Sequence, residues 1–166
     1  IRFALCAIKS IGRPVVEAII EERRLGGRFK SLTDFIERLG GKDVNKRAVE
    51  NLIKAGAMDS LGGNRQQFIL AYAGIMDSVA QSQKTMMTGQ LSLFDLVAEE
   101  EKASFQARLP DVEEYPKELL LSFEKEVLGV YVSGHPLEEY EDRWKKNITA
   151  VTTDFHLDEE TGNSKV

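Results

Sequence analysis

Ile8-Lys9-Ser10-Ile11-Gly12-Arg13-Pro14 is the stretch that decides how the first part of this 166-residue chain folds. Pro14 suits the first turn of a helix, where a backbone N–H has no intrahelical acceptor and its loss costs nothing. Behind it Val15, Val16, Ile19 and Ile20 recur at helical spacing, with Glu17 early and Arg23 and Arg24 late, as the helix dipole favours. Gly26-Gly27 ends that helix. The turn therefore aims unbonded backbone N–H groups outward at a helix start, where a phosphate is stabilised. Lys9, Ser10, Ile11, Gly12 and Arg13 are accordingly the candidate contacts to nucleic acid.

Working outward, Ser31 with Asp34 three residues later reads as a variant capping box. Leu32, Phe35, Ile36 and Leu39 then form one apolar stripe, closed by Gly40-Gly41. A third helix is expected from about Asp43 or Asn45 to Ala55, with Val49, Leu52 and Ile53 inside and Gly56 as its stop. Asn64 and Gln67 open a longer one carrying Phe68, Ile69, Tyr72, Ile75, Met76 and Val79. Four helices with short connections can share one core, so the fold class is all-α.

From about Gln81 to Asp111 the stripes give way to Gln, Ser, Thr, Gly and a Glu99-Glu100-Glu101 run, the pattern of a mobile loop or linker. Helical periodicity returns after Pro116 with Leu120, Phe123, Val127 and Tyr131, ending at Ser133-Gly134. Pro136 begins another helix, with Leu137, Tyr140 and Trp144. Ile148 to Phe155 is β-branched and reads as the first strand of a following domain. The implied organisation is 1–63 as a DNA-binding region, 64–111 as a long helix and loop, 112–147 as a helical connector, and 148–166 as the start of a β domain.

Composition narrows the function classes. The formal net charge of −5 conceals an asymmetry: 13 Lys and Arg face 8 Asp and Glu through Arg65, but 9 face 19 thereafter. Only the first part should attract a polyanion. No run approaches the roughly 18 apolar residues of a membrane span, and no basic n-region followed by an apolar h-region suggests export. The chain opens without Met inside an apolar segment, as a piece of something longer would. The single cysteine, Cys6, excludes an internal disulfide framework and fits a reducing cytoplasm. Among Ala4, Leu5, Ala7 and Ile8 it is expected to be a buried, inert thiol.

Ile8, Lys9, Ser10, Ile11, Gly12 and then Val16 have the spacing of a helix-hairpin-helix motif, which this stretch resembles. In that family the hairpin amides bind a phosphate of duplex DNA without reading sequence. This sequence departs at Ser10, where Gly is usual and where Ser tolerates fewer backbone conformations. Asp43 to Gly56 is similar to a degenerate second copy that serves for packing. Gln90-Leu91-Ser92-Leu93-Phe94 resembles the pentapeptide by which bacterial proteins dock on the replication sliding clamp. An extended segment there offers an amide anchor, Gln90, and two large apolar groups, Leu93 and Phe94, to a hydrophobic pocket.

Longer stretches point the same way. Phe29-Lys30-Ser31-Leu32-Thr33-Asp34-Phe35, Val44-Asn45-Lys46-Arg47, Leu52 to Gly62 and Glu124 to Leu137 resemble the bacterial DNA polymerase III alpha subunit, and the resemblance covers nearly the whole chain. It implies a non-catalytic segment of a replicative polymerase, reaching the threshold of an OB-fold domain. The implied partners are double-stranded DNA, the sliding clamp and the other domains and subunits of the polymerase, in the cytoplasm and without a membrane. The family's catalytic aspartates lie upstream, so no catalytic residue and no cofactor is expected in this chain, although the parent polymerase would use Mg. His135, His156 and Cys6 are too scattered for a zinc motif, so no metal site is expected either. His135, between Gly134 and Pro136, reads as a helix-start residue.

Two alternatives remain open on sequence. A helix-hairpin-helix glycosylase or lyase would carry a catalytic Lys in the helix behind the hairpin, and Arg13 to Gly26 contains none. A protein–protein scaffold would bind the clamp and no DNA.

Overall fold

The apolar stripes become helices in the order the spacing predicts. The computed structural model describes residues 4–40, 44–87, 109–149, 156–157 and 164–165. Its α-helices are α1 (Arg13–Gly26), α2 (Leu32–Leu39), α3 (Lys46–Lys54), α4 (Arg65–Met87), α5 (Lys117–Leu128) and α6 (Glu141–Asn147). Short 3-10 turns occupy Leu5–Ala7 and Glu138–Tyr140. The fold class is all-α; the strands among the described residues are the two-residue β1 (His156–Leu157) and β2 (Ser164–Lys165), paired antiparallel with His156 opposite Lys165.

The chain packs as two compact units, Ile1–Val132 and Ser133–Val166. In the first, α4 lies against α2 and α3, α1 against α2, and α5 against α3. Ile8, Ile11, Val15, Ile19, Leu32, Phe35, Ile36, Leu39, Val49, Leu52, Ile53, Phe68 and Val127 share one core. Full burial of each large side chain contributes about 1.5–3 kcal/mol.

Capping residues start the helices where the sequence places them. The Ser31 hydroxyl accepts from the Asp34 N–H at 3.1 Å, and the Asp34 carboxylate accepts from the Lys30 N–H at 2.8 Å. Asn45 Oδ1 accepts from the Ala48 N–H at 2.9 Å. In the second unit the His135 N–H donates to Glu138, and His135 Nδ1 accepts from the Leu137 N–H; these bonds close the turn ahead of the 3-10 turn Glu138–Tyr140 and not the start of an α-helix as expected.

Several expectations are corrected. Cys6 is exposed, because within the 3-10 turn Leu5 is the half-buried residue while Ala4, Cys6 and Ala7 face outward. Ile20 is 59% exposed: Val15 and Ile19 reach the core and its neighbour does not. The polar stretch from Gln81 continues α4 through Met87, since Gln, Lys and Met are good helix formers and an exposed turn needs no apolar stripe. Gln83 there also reaches the Gly40 carbonyl.

Leu109 to Asp111, read as the end of a linker, belong instead to a strap at the start of α4, where Gln67 Nε2 donates to the Pro110 carbonyl and Leu109 packs on the core cluster. The helix after Pro116 buries Leu121, Glu124 and Val127 and ends at Gly129 in the left-handed region, so Tyr131 lies beyond it and is exposed. Helix α6 begins at Glu141, five residues after Pro136, with Leu137 and Tyr140 exposed before it or in the 3-10 turn. The strand expected at Ile148 to Phe155 falls mostly outside the described residues; Ile148 itself is exposed and in no element.

Candidate nucleic-acid interface

The corner at Ile8 to Pro14 is built by burying two residues and exposing the rest. Ile8 and Ile11 are 5% and 4% exposed, whereas Lys9, Ser10, Gly12, Arg13 and Pro14 lie at the surface. The Ile11 N–H donates to the Ile8 carbonyl at 3.1 Å, closing a tight turn. Ser10, third in that turn, takes φ +65°, the only positive φ of a non-glycine among the described residues. That is the position where a type II turn favours Gly, so the family's preference and the backbone agree, and Ser10 is strained there.

Gly12 is different. Its φ of −86° and ψ of 170° are open to any residue, and a side chain there would meet only the Pro14 ring carbon, at 3.5 Å. Nothing within the described molecule requires a glycine at 12. Gly12 caps α1 without a side chain, and among the described residues the amides of Gly12 and Arg13 have no acceptor. A bare backbone with free N–H groups at a helix start is a place an external anion can approach closely.

The corner is held from behind by its own second residue. The Lys9 N–H donates to the Val127 carbonyl of α5 at 2.8 Å, and the Lys9 carbonyl accepts from Asn51 Nδ2 of α3 at 2.6 Å. Asn51 is 7% exposed. Of the five residues singled out by sequence, Lys9, Ser10, Gly12 and Arg13 are gathered on the exposed corner. Ile11 belongs to the core, and its amide closes the turn. Gln90, Leu91, Ser92, Leu93 and Phe94 lie outside the described residues.

Helix α5 is fixed in turn by a buried ionic node. Arg65, 6% exposed, donates to both carboxylate oxygens of Asp59 (3.0 and 2.9 Å), to Glu124 at 3.2 Å and to the Lys54 carbonyl at 3.3 Å. Glu124, 1% exposed, also accepts from the Val132 N–H at 2.7 Å. Burial is the largest single influence on the Arg65 guanidinium and disfavours its charge, yet Asp59 and Glu124 together outweigh it and raise its pKa further. Lys54, between Glu50 and Glu126, shows the same balance, with burial opposing and the two carboxylates prevailing to raise its pKa.

Asn51, Arg65 and Glu124 escaped the sequence reading. A signal was present for two of them: Asn51 shares the inner face with Ala48 and Leu52, and Glu124 stands three residues from both Leu121 and Val127. Polar residues inside an apolar stripe are worth a partner search.

A helix-hairpin-helix motif family model matches residues 1–68, which contain the corner and α1 to α3. The chain is 36% identical over 151 residues to DNA polymerase III subunit alpha of Vibrio cholerae, covering 91% of this chain and 13% of that protein. It is 41% identical over 142 residues to that of Thermus aquaticus (84% and 11%) and 39% over 141 residues to that of Deinococcus radiodurans (85% and 10%). The chain is homologous to one segment of the DNA polymerase III alpha subunit. It spans 10–13% of the length of these relatives, so the match concerns this segment and not a whole polymerase. Among the described residues no helix is long and apolar enough to cross a membrane, and no group of three His, Cys, Asp or Glu side chains is placed to hold a metal ion.

Proposed function

We propose that this chain is a non-catalytic segment of a replicative DNA polymerase that grips duplex DNA without reading its sequence and tethers the enzyme to the sliding clamp. The observation that carries the DNA contact is the pose of Gly12. Among the described residues no internal contact requires a glycine there and the amides beside it have no acceptor, and it is flanked by exposed Lys9 and Arg13. A phosphate seated there would meet the Gly12 and Arg13 N–H groups at the positive end of α1. The side chains of Lys9 and Arg13 would add sequence-independent attraction.

Titration of a mixed-sequence duplex against salt tests this. The expected result is a log affinity falling linearly with log salt, with a slope of about 1 to 3, near 0.9 per neutralised phosphate. Binding indifferent to salt, or retained by Gly12→Val, would reject the grip. Tethering rests on Gln90 to Phe94, where the sequence offers an amide anchor and two large apolar side chains. The double substitution Gln90→Ala, Phe94→Ala should abolish capture on an immobilised sliding clamp, and undiminished capture would remove the tethering role.

A further inference from the structure

We propose that Asn51 is a positioning residue for the DNA grip, acting with the Val127 carbonyl as a two-point clamp on the peptide groups of Lys9; the role rests on the reading of the corner given above. Both backbone polar atoms of Lys9 are engaged from behind. The N–H is taken by the carbonyl of Val127 in α5, and the C=O by the carboxamide of Asn51 in α3. Each bond is short, and the donor side chain of the second is buried. Lys9 is meanwhile exposed, so the two bonds hold the backbone of a surface residue.

The clamp has a directional consequence. With Lys9 pinned on both sides and Ile8 and Ile11 anchored in the core, the turn has little freedom to pivot. The Gly12 and Arg13 amides are then presented in one orientation, and a contact made through backbone N–H groups depends on such preorganisation. One half of the clamp comes from α5, which the Arg65–Glu124 node fixes to α3 and α4. Helix α5 follows the strap that leads out of the segment carrying Gln90 to Phe94, so the element that aims the corner is continuous in chain with the proposed tether.

Two substitutions separate the clamp from the contact. Asn51→Leu keeps the side chain's bulk and removes the donor to Lys9. Lys9→Pro removes the donor to Val127 and sets a ring carbon against that carbonyl, while Ile8, at φ −76° and ψ 132°, already has the extended conformation required before Pro. Pro is also favoured at the second position of a turn whose third residue has positive φ. Lys9→Ala is its control, since both lose the ammonium group.

Duplex binding is measured against salt for the whole chain and each variant, with helicity and thermal midpoint recorded alongside. The expected result is a roughly tenfold weaker affinity for Asn51→Leu, with the salt slope lower by about 1 as the hairpin phosphate is lost. Lys9→Pro should bind several-fold more weakly than Lys9→Ala. A merely structural Asn51 would lower the thermal midpoint and leave affinity and slope of the folded protein unchanged, which overturns the proposal. Should Asn51→Leu not fold, the Lys9 pair decides: equal affinities overturn it. Binding lost in Gly12→Val but untouched by both clamp variants rejects the positioning role alone. Wild-type binding without salt dependence, or undiminished in Gly12→Val, rejects the DNA grip and this role with it.

Discussion

The starts of α1 and α4 treat the same physical problem in opposite ways. At α4 the capping residue and the first three helical residues all have their amides bound. Asn64 and Gln67 cap each other reciprocally at 2.8 and 3.0 Å, and Glu114 accepts from Arg65 and Gln66 at 2.8 and 3.1 Å. The spare donors of the two amide side chains reach back to the strap, at Val112 and Pro110. At α1 the cap is a glycine with no side chain, Pro14 supplies no N–H, and among the described residues the neighbouring amides have no acceptor. A helix start that consumes its own donors is architecture. One that keeps them free, beside exposed cations and on a rigidly backed turn, is suited to a ligand.

The largest effect should come from breaking the self-contained end. Arg65→Met leaves Glu124 buried without its guanidinium, and losing one partner of a buried pair costs about 3–5 kcal/mol. Urea unfolding should register that loss, and a cost under about 1 kcal/mol would mean that the node does not hold α4 and α5 together. Next, Gly12→Asp would convert the open start into a closed one. An Asp at the cap accepts from the helix amides and adds negative charge where phosphate is proposed to sit. Duplex affinity should fall about a hundredfold at low salt while stability is unchanged or rises by a few tenths of a kcal/mol. Unchanged affinity would erase the functional half of the contrast.

Asn64→Ala should cost about 1 kcal/mol, since it removes a cap and strips Gln67 of its partner. It should leave the salt dependence of DNA binding intact. A changed salt slope in that variant would show that the two helix starts are not independent, and the distinction drawn between them would lose its meaning.

What could be read beforehand follows the same division. The Leu32, Phe35, Ile36, Leu39 stripe, the Val49, Leu52, Ile53 stripe and the caps at Ser31, Asn45 and Asn64 were legible because each is a local pattern with a fixed spacing. The exposed corner was legible for that reason too. What backs the corner was not, because Asn51 to Lys9, Val127 to Lys9 and Arg65 to Glu124 join residues 42, 118 and 59 apart in sequence. Periodicity also misled where burial is asymmetric: Ile20 continues an apolar run yet faces outward, and Glu124 interrupts one yet is fully buried.

The smallest predicted effect lies at Ser10, and it separates strain from function at the open start. Its φ of +65° costs an L-residue conformational energy that Gly does not incur, and no acceptor or donor bonded to the Ser10 side chain is found among the described residues to offset it. Ser10→Gly should therefore stabilise the chain by about 0.5–1 kcal/mol, net of the greater freedom Gly has when unfolded. Chemical denaturation reads that directly. Because the substitution leaves the Lys9 bonds and the Gly12 amide in place, duplex affinity should change by less than about twofold. A gain in affinity well beyond that would mean that the Ser10 side chain itself crowds the phosphate, and the limit on the grip would then be steric and not conformational.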